Sequence, residues 1–199
     1  MTELTLALAL VLFLFPLAYS PGPGNLFFAA NGARFGVRAT LPAFLGYHLA
    51  TWLVTLAIGL GLIGTLAAAP ALARALQLAG AVYVGWLALR FLRAGALEGA
   101  GDPRPASLWD GALLVVLNPK AYVIIVLMFT QFAPLTADVP GATLLITSVF
   151  TLNNFVAFMV WTLAGDVLGR WFRTDTSARA LNFGFGLLLI GVALWLLAT

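Results

Sequence analysis

The sequence predicts an all-α integral membrane protein whose six transmembrane helices form two inverted three-helix repeats. Three observations lead to this prediction: an apolar composition, long charge-free runs, and a proline break in the first helix of each half. Hydrophobic residues make up 62% of the 199 residues and charged residues only 9%, whereas a soluble domain carries about 25% charged residues. Ten basic and seven acidic side chains are too few to cover a soluble globule of this size.

Long segments without a charged residue set the positions of the helices. No Asp, Glu, Lys or Arg occurs in 4–33, 39–73, 139–165 or 180–199, and a helix needs about 20 apolar residues to cross a bilayer. We predict helices at about 4–33, 39–64, 72–92, 108–133, 140–165 and 179–198. The first helix is expected to be retained, because no basic residue precedes it and no small-residue cleavage signal follows it.

Two of the predicted helices are interrupted by proline, which lacks a backbone donor and clashes with the preceding turn. The break in helix 1, here called the PGPGN segment, comprises Pro21, Gly22, Pro23, Gly24 and Asn25. We expect the second half of helix 1 to begin near Asn25. Helix 4 is broken at Asn118 and Pro119, and Ser107 and Asp110 have capping-box spacing at its start, with Asp in place of Glu.

The basic residues predict the orientation of the helices. Eight of them fall in the loops between helices 1–2, 3–4 and 5–6, namely Arg34, Arg38, Arg90, Arg93, Arg104, Arg170, Arg173 and Arg179. The opposite side carries only Arg74 among basic residues. Basic loops remain in the cytoplasm. Both termini are therefore expected outside a bacterial inner (plasma) membrane, which is the periplasmic side in a Gram-negative cell.

The chain is interpreted as one membrane domain over residues 1–199, with repeat 1 at about 1–95 and repeat 2 at about 106–199. The polar stretch 95–105 divides the halves, and each half opens with a helix broken by proline. Three helices in each half give the two halves opposite orientations. This is the inverted-repeat pattern of secondary transporters, in which broken helices mark the substrate site.

Four predicted helices bring polar residues to one depth. Counted at about 1.5 Å per residue from the cytoplasmic charges, His48 and Lys120 lie about 15 Å deep, at mid-membrane. Both helix breaks and an asparagine pair in helix 5 fall near the same level. The predicted substrate-binding residues are Pro21, Gly22, Pro23, Gly24, Asn25, Asn118, Pro119, Lys120, Asn153 and Asn154. No catalytic residue, metal site or cofactor is predicted.

Several of these residues also have a purely structural interpretation. Lys120 either binds an anion or bonds to backbone carbonyls freed by the break in helix 4. The PGPGN segment either supplies backbone groups to a substrate or is a kink. His48, the only histidine, either relays a proton, since imidazole titrates near neutral pH, or is a packed side chain. Asn153 and Asn154 either contact substrate or hold helices together.

These motifs resemble the lysine exporter superfamily, and within it the homoserine/threonine-exporter branch. The resemblance rests on the PGPGN segment, on NPKA at 118–121, and on shorter matches such as LP at 41–42 and GAVY at 80–83. It covers nearly the whole chain. It implies a secondary transporter that exports amino acids or small derivatives and is driven by the proton gradient. The branch with LP before helix 2 is similar to exporters of cysteine and O-acetylserine.

One departure from the family concerns helix 2, where many members have an Asp near the position of His48. This chain reads LGYH at 45–48, and without a mid-membrane carboxylate we favour neutral or zwitterionic substrates. A cation transporter or a channel of the same architecture is the alternative, and an intramembrane enzyme is less favoured. The expected partners are a small amino-acid substrate and the lipid bilayer, without nucleic acid, and a homo-oligomer is left open.

Overall fold

The computed structural model describes residues 2–62, 70–93, 104–133, 138–171 and 175–198. Within these ranges the chain is helical apart from short connections, which confirms the all-α prediction for the described residues. The α-helices are α1 (Glu3–Tyr19), α2 (Pro23–Ala57), α3 (Pro70–Arg93), α4 (Leu108–Val116), α5 (Pro119–Phe132), α6 (Val139–Trp171) and α7 (Asp175–Ala198). A five-residue π-helical turn, Ile58–Leu62, continues α2.

Gly36 turns α2 back on itself. Its φ of 80° and ψ of 169° are non-helical, and glycine adopts a positive φ without the steric cost that a side chain brings. Phe28 and Phe44 are equally far from Gly36 along the chain, and their rings pack 5.5 Å apart. α2 therefore consists of two antiparallel segments, α2a (23–35) and α2b (37–57), joined by one residue where the sequence predicted a loop over 34–38.

Residues 20–22 separate α1 from α2. Ser20 and Gly22 have extended backbone, and α2 begins at Pro23. This start is two residues earlier than the one expected near Asn25. The reason is that proline suits the first position of a helix, where its missing N–H costs no hydrogen bond. Gly24 and Asn25 are consequently helical.

Leu117 and Asn118 separate α4 from α5, and the two helices are bent by 60°. The Asn118 side chain accepts a hydrogen bond from the backbone N–H of Lys120 at 3.2 Å and so caps α5. At the start of α4, Ser107 Oγ accepts from the backbone of Asp110, whose carboxylate accepts from the backbone of Ser107. The capping box is confirmed.

α6 extends beyond the predicted helix at 140–165 and ends at Trp171. Asp166 and Arg170 form a surface ion pair at this end, with an Nη2–Oδ2 distance of 2.7 Å. Such an i,i+4 pair adds a small stabilisation to the last turns of the helix.

Glycines bring the backbone of α2 against two other helices. A Cβ on Gly165 of α6 would collide with the backbone carbonyl of Ala29, and a Cβ on Gly111 of α4 would collide with that of Ala43. α2a thus packs tightly on α6, and α2b packs tightly on α4. α1 packs on α6, and the last helices of the two halves, α3 and α7, pack on each other.

Among the described residues, two helical stretches are long and apolar enough to cross a membrane, Pro23–Gly61 and Val139–Trp171, and the bent pair α4–α5 is a third if it counts as one span. The first of these stretches includes the reversal at Gly36. Large apolar side chains such as Leu12, Leu49 and Leu152 are exposed by 60% or more. Such surfaces suit the hydrocarbon of a bilayer.

Candidate functional site

A small cavity lies where α1 ends and where α2 and α5 begin. It encloses about 310 Å³ of empty space, including its open mouth. The polar residues that line it are Asn25, Tyr47, Asn118, Lys120 and Asn154, and its apolar walls include Ala18, Ile124, Phe150 and Phe158. One helix C-terminus and two helix N-termini therefore meet at one partly polar cavity.

Side chains from other elements satisfy carbonyl groups at the end of α1, which have no partner within their own helix. The Asn25 amide donates to the carbonyl of Ala18 at 2.9 Å. The indole N–H of Trp161 donates to the carbonyl of Tyr19 at 3.3 Å. Because these donors belong to α2 and α6, tertiary contacts satisfy the carbonyls of Ala18 and Tyr19 at the end of α1.

Lys120 links the two interrupted regions. Its Nζ donates to the backbone carbonyl of Ser20 at 3.2 Å and lies 2.9 Å from Ser20 Oγ. It also lies against Gly22, where a Cβ would stand 3.1 Å from Nζ. The carbonyl therefore comes from the helix 1 break, whereas the structural interpretation of Lys120 placed it at the helix 4 break. An ammonium carries three protons, and two of them are used by Ser20. Both acceptors of Ser20 are neutral, so the positive charge of Lys120 is not balanced and its third proton can be donated to an anion.

The first turn of α2 presents backbone N–H groups to the cavity. Its N-cap is Gly22, which provides no side-chain hydrogen bond, and both Gly24 and Asn25 line the cavity. Since Asn25 Nδ2 donates to Ala18, Asn25 Oδ1 is left as an acceptor. An uncapped helix N-terminus attracts anions, and here it stands beside the Lys120 ammonium.

Tyr47 of α2b and Asn118 at the start of α5 line the same cavity. The Tyr47 side chain is fully buried. Its ring packs 4.8 Å from that of Phe158, and Gly24 leaves room for both, because a Cβ there would stand 2.8 Å from the Phe158 ring. A glycine at position 24 is therefore required by this close approach.

The two neighbouring asparagines of α6 point in different directions. Asn154 lines the cavity, whereas Asn153 is buried beside it and does not. The Nδ2 of Asn153 has no hydrogen-bond partner among the described residues. Successive residues of a helix point about 100° apart, so only one of the pair can face the cavity.

His48 lies behind the cavity wall. It is 7% exposed, and its ring packs on Phe44, Tyr47, Phe155 and Phe158. Nδ1 is 2.7 Å from the carbonyl of Phe44, which can only accept, so Nδ1 carries the proton and Nε2 carries the lone pair. Nε2 is buried and has no hydrogen-bond partner among the described residues.

The remaining predicted residues are divided between the cavity and its rim. Pro23 lines the cavity, while Pro21 is exposed and does not. Pro119 occupies the first position of α5. Sequence reasoning missed Ser20 and Trp161, although a serine directly before the PGPGN segment is a signal for a polar end of helix 1.

Three relatives are similar to this chain over most of its length. An uncharacterized membrane protein of Vibrio cholerae serotype O1 is 33% identical over 201 residues, which cover 98% of this chain and 96% of the relative. A cysteine/O-acetylserine efflux protein of Escherichia coli O139:H28 is 30% identical over 178 residues, 87% of this chain and 88% of the relative. The protein of that name from strain K12 is 29% identical over the same length. No solved structure matches the chain.

The apolar helices, the cavity at the interrupted helices and the named relatives define the class of this protein as a membrane transporter and not an enzyme. The profile of the LysE type translocators matches residues 15–199. The chain belongs to this family.

Proposed function

We propose that this protein exports small neutral or zwitterionic amino acids, with cysteine and O-acetylserine as the first candidates, across the inner membrane of a bacterium. The observation that carries the proposal is the cavity in which an uncapped helix N-terminus and a lysine stand beside amide oxygens. An amino acid needs both features, because it carries a carboxylate and an ammonium on one carbon atom.

The carboxylate end of the substrate is bound at the start of α2. Gly24 and Asn25 offer backbone N–H groups there, and Lys120 offers its ammonium from α5. A helix N-terminus and a lysine both favour a negative charge. A carboxylate in this place also balances the Lys120 charge, which would otherwise be costly at mid-membrane.

The ammonium end of the substrate is bound by amide oxygens. Asn25 Oδ1 is an acceptor on the α2 side, and Asn154 faces the cavity from α6. The side chain of the substrate then meets apolar walls such as Ile124 and Phe150. Because none of the described residues that line the cavity is acidic, a cationic side chain has no counter-charge there. This supports neutral over cationic substrates.

The same chemistry fits six spans in two inverted repeats, with both termini outside. α1 with α2a forms the first span and α4 with α5 forms the fourth, each interrupted at the cavity. The packing of α3 on α7 supports this arrangement, because the last helices of two repeats related by a pseudo-twofold axis occupy equivalent positions. The reversal at Gly36, between Arg34 and Arg38, then lies at the cytoplasmic boundary.

His48 carries the coupling proton in this proposal. Its Nε2 is a buried acceptor one layer behind Tyr47 and Phe158, which line the cavity. Substrate and proton can therefore influence each other through this shared wall without a direct contact.

Substrate choice is tested with purified protein in liposomes that are loaded with unlabelled cysteine. We expect uptake of radiolabelled cysteine by exchange, and competition from O-acetylserine at least about tenfold stronger than from lysine, because one unpaired charge in such a site costs more than about 1.4 kcal/mol. Equal competition by lysine would contradict the neutral preference. Absence of exchange with any of these amino acids would contradict the proposed substrates.

The orientation of the chain is tested with a reporter enzyme that is active only in the periplasm. Fused after Thr199 it is expected to be active, and fused at Gly101 inactive, because the basic loops remain in the cytoplasm. Gly101 and Thr199 lie outside the described residues. The reverse pattern of activity would remove the proposed orientation and the depth assigned to His48 and Lys120.

A further inference from the structure

A row of buried threonines lies along the contact between α2b and α6. His48, Thr51 and Thr55 occupy positions i, i+3 and i+7 of α2b, so they share one face of the helix. Thr143 and Thr147 are one turn apart on α6. All four threonines are at most 1% exposed. Four hydroxyls are unusual in an interior surrounded by apolar side chains.

α2b and α6 run antiparallel in this region, which sets the threonines against each other. At one end, a Cβ on Gly59 would stand 2.6 Å from the methyl group of Thr143. At the other end, the His48 ring packs on the aromatic side chains of α6. Thr55 precedes Gly59 by four residues, and Thr147 follows Thr143 by four residues. Because the helices are antiparallel and Gly59 contacts Thr143, Thr55 lies opposite Thr147.

The hydroxyl groups of this row are not all satisfied by the protein. Thr51 donates to the carbonyl of Tyr47 at 2.8 Å, as a threonine within a helix usually does. Thr55 Oγ1, Thr147 Oγ1 and His48 Nε2 are buried and have no hydrogen-bond partner within the described part of the chain. A buried polar group without a partner is costly, and water is the usual partner where several such groups converge.

We propose that Thr55 and Thr147 line a narrow file of water between α2b and α6, and that this file is the route of the coupling proton to His48. It runs about 10 Å along α2b, from His48 to the level of Thr55, away from the turn at Gly36. With the proposed orientation it leads toward the outside, and it opens there when Gly59 separates from Thr143 and Phe129, against which Gly59 packs. The inference deepens the proposed function, because it rests on His48 as the site of coupling.

The proton step at the end of the file is simple. A water molecule beside the ring gives one proton to Nε2 of His48, and the file restores that water with one proton taken from outside. Nδ1 keeps its proton on the Phe44 carbonyl, so the imidazole becomes a cation and no other bond changes. The described side chains that pack on the His48 imidazole ring are aromatic, and among them only Tyr47 can titrate.

Water in the file can be detected without any transport assay, because the chain contains no cysteine. Thr55→Cys and Thr147→Cys are made singly and treated with methyl methanethiosulfonate, which reacts with thiolate, and thiolate forms where water reaches. The matched control is Thr162→Cys, since Thr162 is equally buried and its hydroxyl bonds to the carbonyl of Phe158. We expect labelling at least about tenfold faster at 55 and 147 than at 162. Equal rates would overturn the water file.

The role of the file in coupling is tested with Thr55→Val and Thr147→Val combined, because two methyl groups in place of hydroxyls exclude water from a narrow path. In liposomes, cysteine efflux driven by a pH gradient is expected to fall at least about tenfold. Cysteine exchange without a gradient is expected to be unchanged, because exchange requires no net proton movement. Thr162→Val should leave both activities at the wild-type level.

Loss of both activities in the double variant, or of neither, would overturn the proton route. Efflux driven by a sodium gradient in place of the pH gradient would also overturn it. Absence of cysteine exchange in the wild-type protein would contradict the proposed substrate instead, and the labelling comparison would then still decide whether the file contains water.

Discussion

Replacing Lys120 by glutamine is expected to lower cysteine export at least about tenfold while the protein reaches the membrane at its normal level. The expected size follows from a charge-assisted hydrogen bond, which is worth about 1.5–3 kcal/mol, and from about 1.4 kcal/mol for each factor of ten. Glutamine keeps an N–H donor on a side chain one bond shorter than that of lysine, and it loses the charge. Efflux is measured per unit of membrane-inserted protein.

Two further variants separate the charge of Lys120 from its structural contact. Lys120→Arg should recover little activity, because a planar guanidinium does not replace a compact ammonium in a tight site. Ser20→Ala removes the hydroxyl partner but keeps the carbonyl and the charge, and we expect a smaller loss than for Lys120→Gln, because the ammonium still donates to the Ser20 carbonyl. Wild-type export by Lys120→Gln would show that Lys120 only joins the two breaks.

Making residues 20–23 helical is expected to abolish export without preventing insertion. The variant combines Pro21→Ala, Gly22→Ala and Pro23→Ala, which restores two backbone N–H groups and removes the clash that proline imposes on the preceding turn. A continuous helix would engage the carbonyls of Tyr19 and Ser20 and cover the N-terminus of α2. Gly24 is left unchanged, because a Cβ there would stand 2.8 Å from the Phe158 ring.

The matched control for this variant is Pro16→Ala. Pro16 lies within α1, in the same helix but away from the cavity, and its replacement should leave export and abundance unchanged. Normal export by the triple variant at normal abundance would mean that residues 20–22 are a packing kink and that substrate binds elsewhere.

Sequence reasoning recovers the elements whose signal is local. Long charge-free runs predict most of the helices, and for α3 and α7 the observed bounds Pro70–Arg93 and Asp175–Ala198 differ by a few residues from those predicted. The capping box at Ser107 depends on residues three positions apart, and it is confirmed. Six spans in two inverted repeats remain a prediction.

Contacts between distant parts of the chain were not predictable. Lys120 and Ser20 are 100 residues apart, and Trp161 and Tyr19 are 142 apart, so no periodicity within one helix signals either pair. The reversal at Gly36 was expected as a loop over 34–38, because the sequence around a glycine does not show whether its φ will be positive. The threonine row was missed for a related reason, since one threonine per turn is unremarkable until its register with a second helix is known.

The glycine contacts of α2 separate helices that are packed backbone against backbone from helices that are held by side-chain contacts. Where the carbonyl of Ala29 touches Gly165 and that of Ala43 touches Gly111, backbone lies against backbone, and no flexible side chain is present to take up a displacement. α2, α4 and α6 should therefore move as one rigid frame during a transport cycle. The ends of α1 and α5 are tied to this frame by side-chain hydrogen bonds, which can be exchanged one at a time. In the proposed transport cycle, α1 and α5 are therefore the helices expected to shift against this frame and expose the cavity to either side of the membrane.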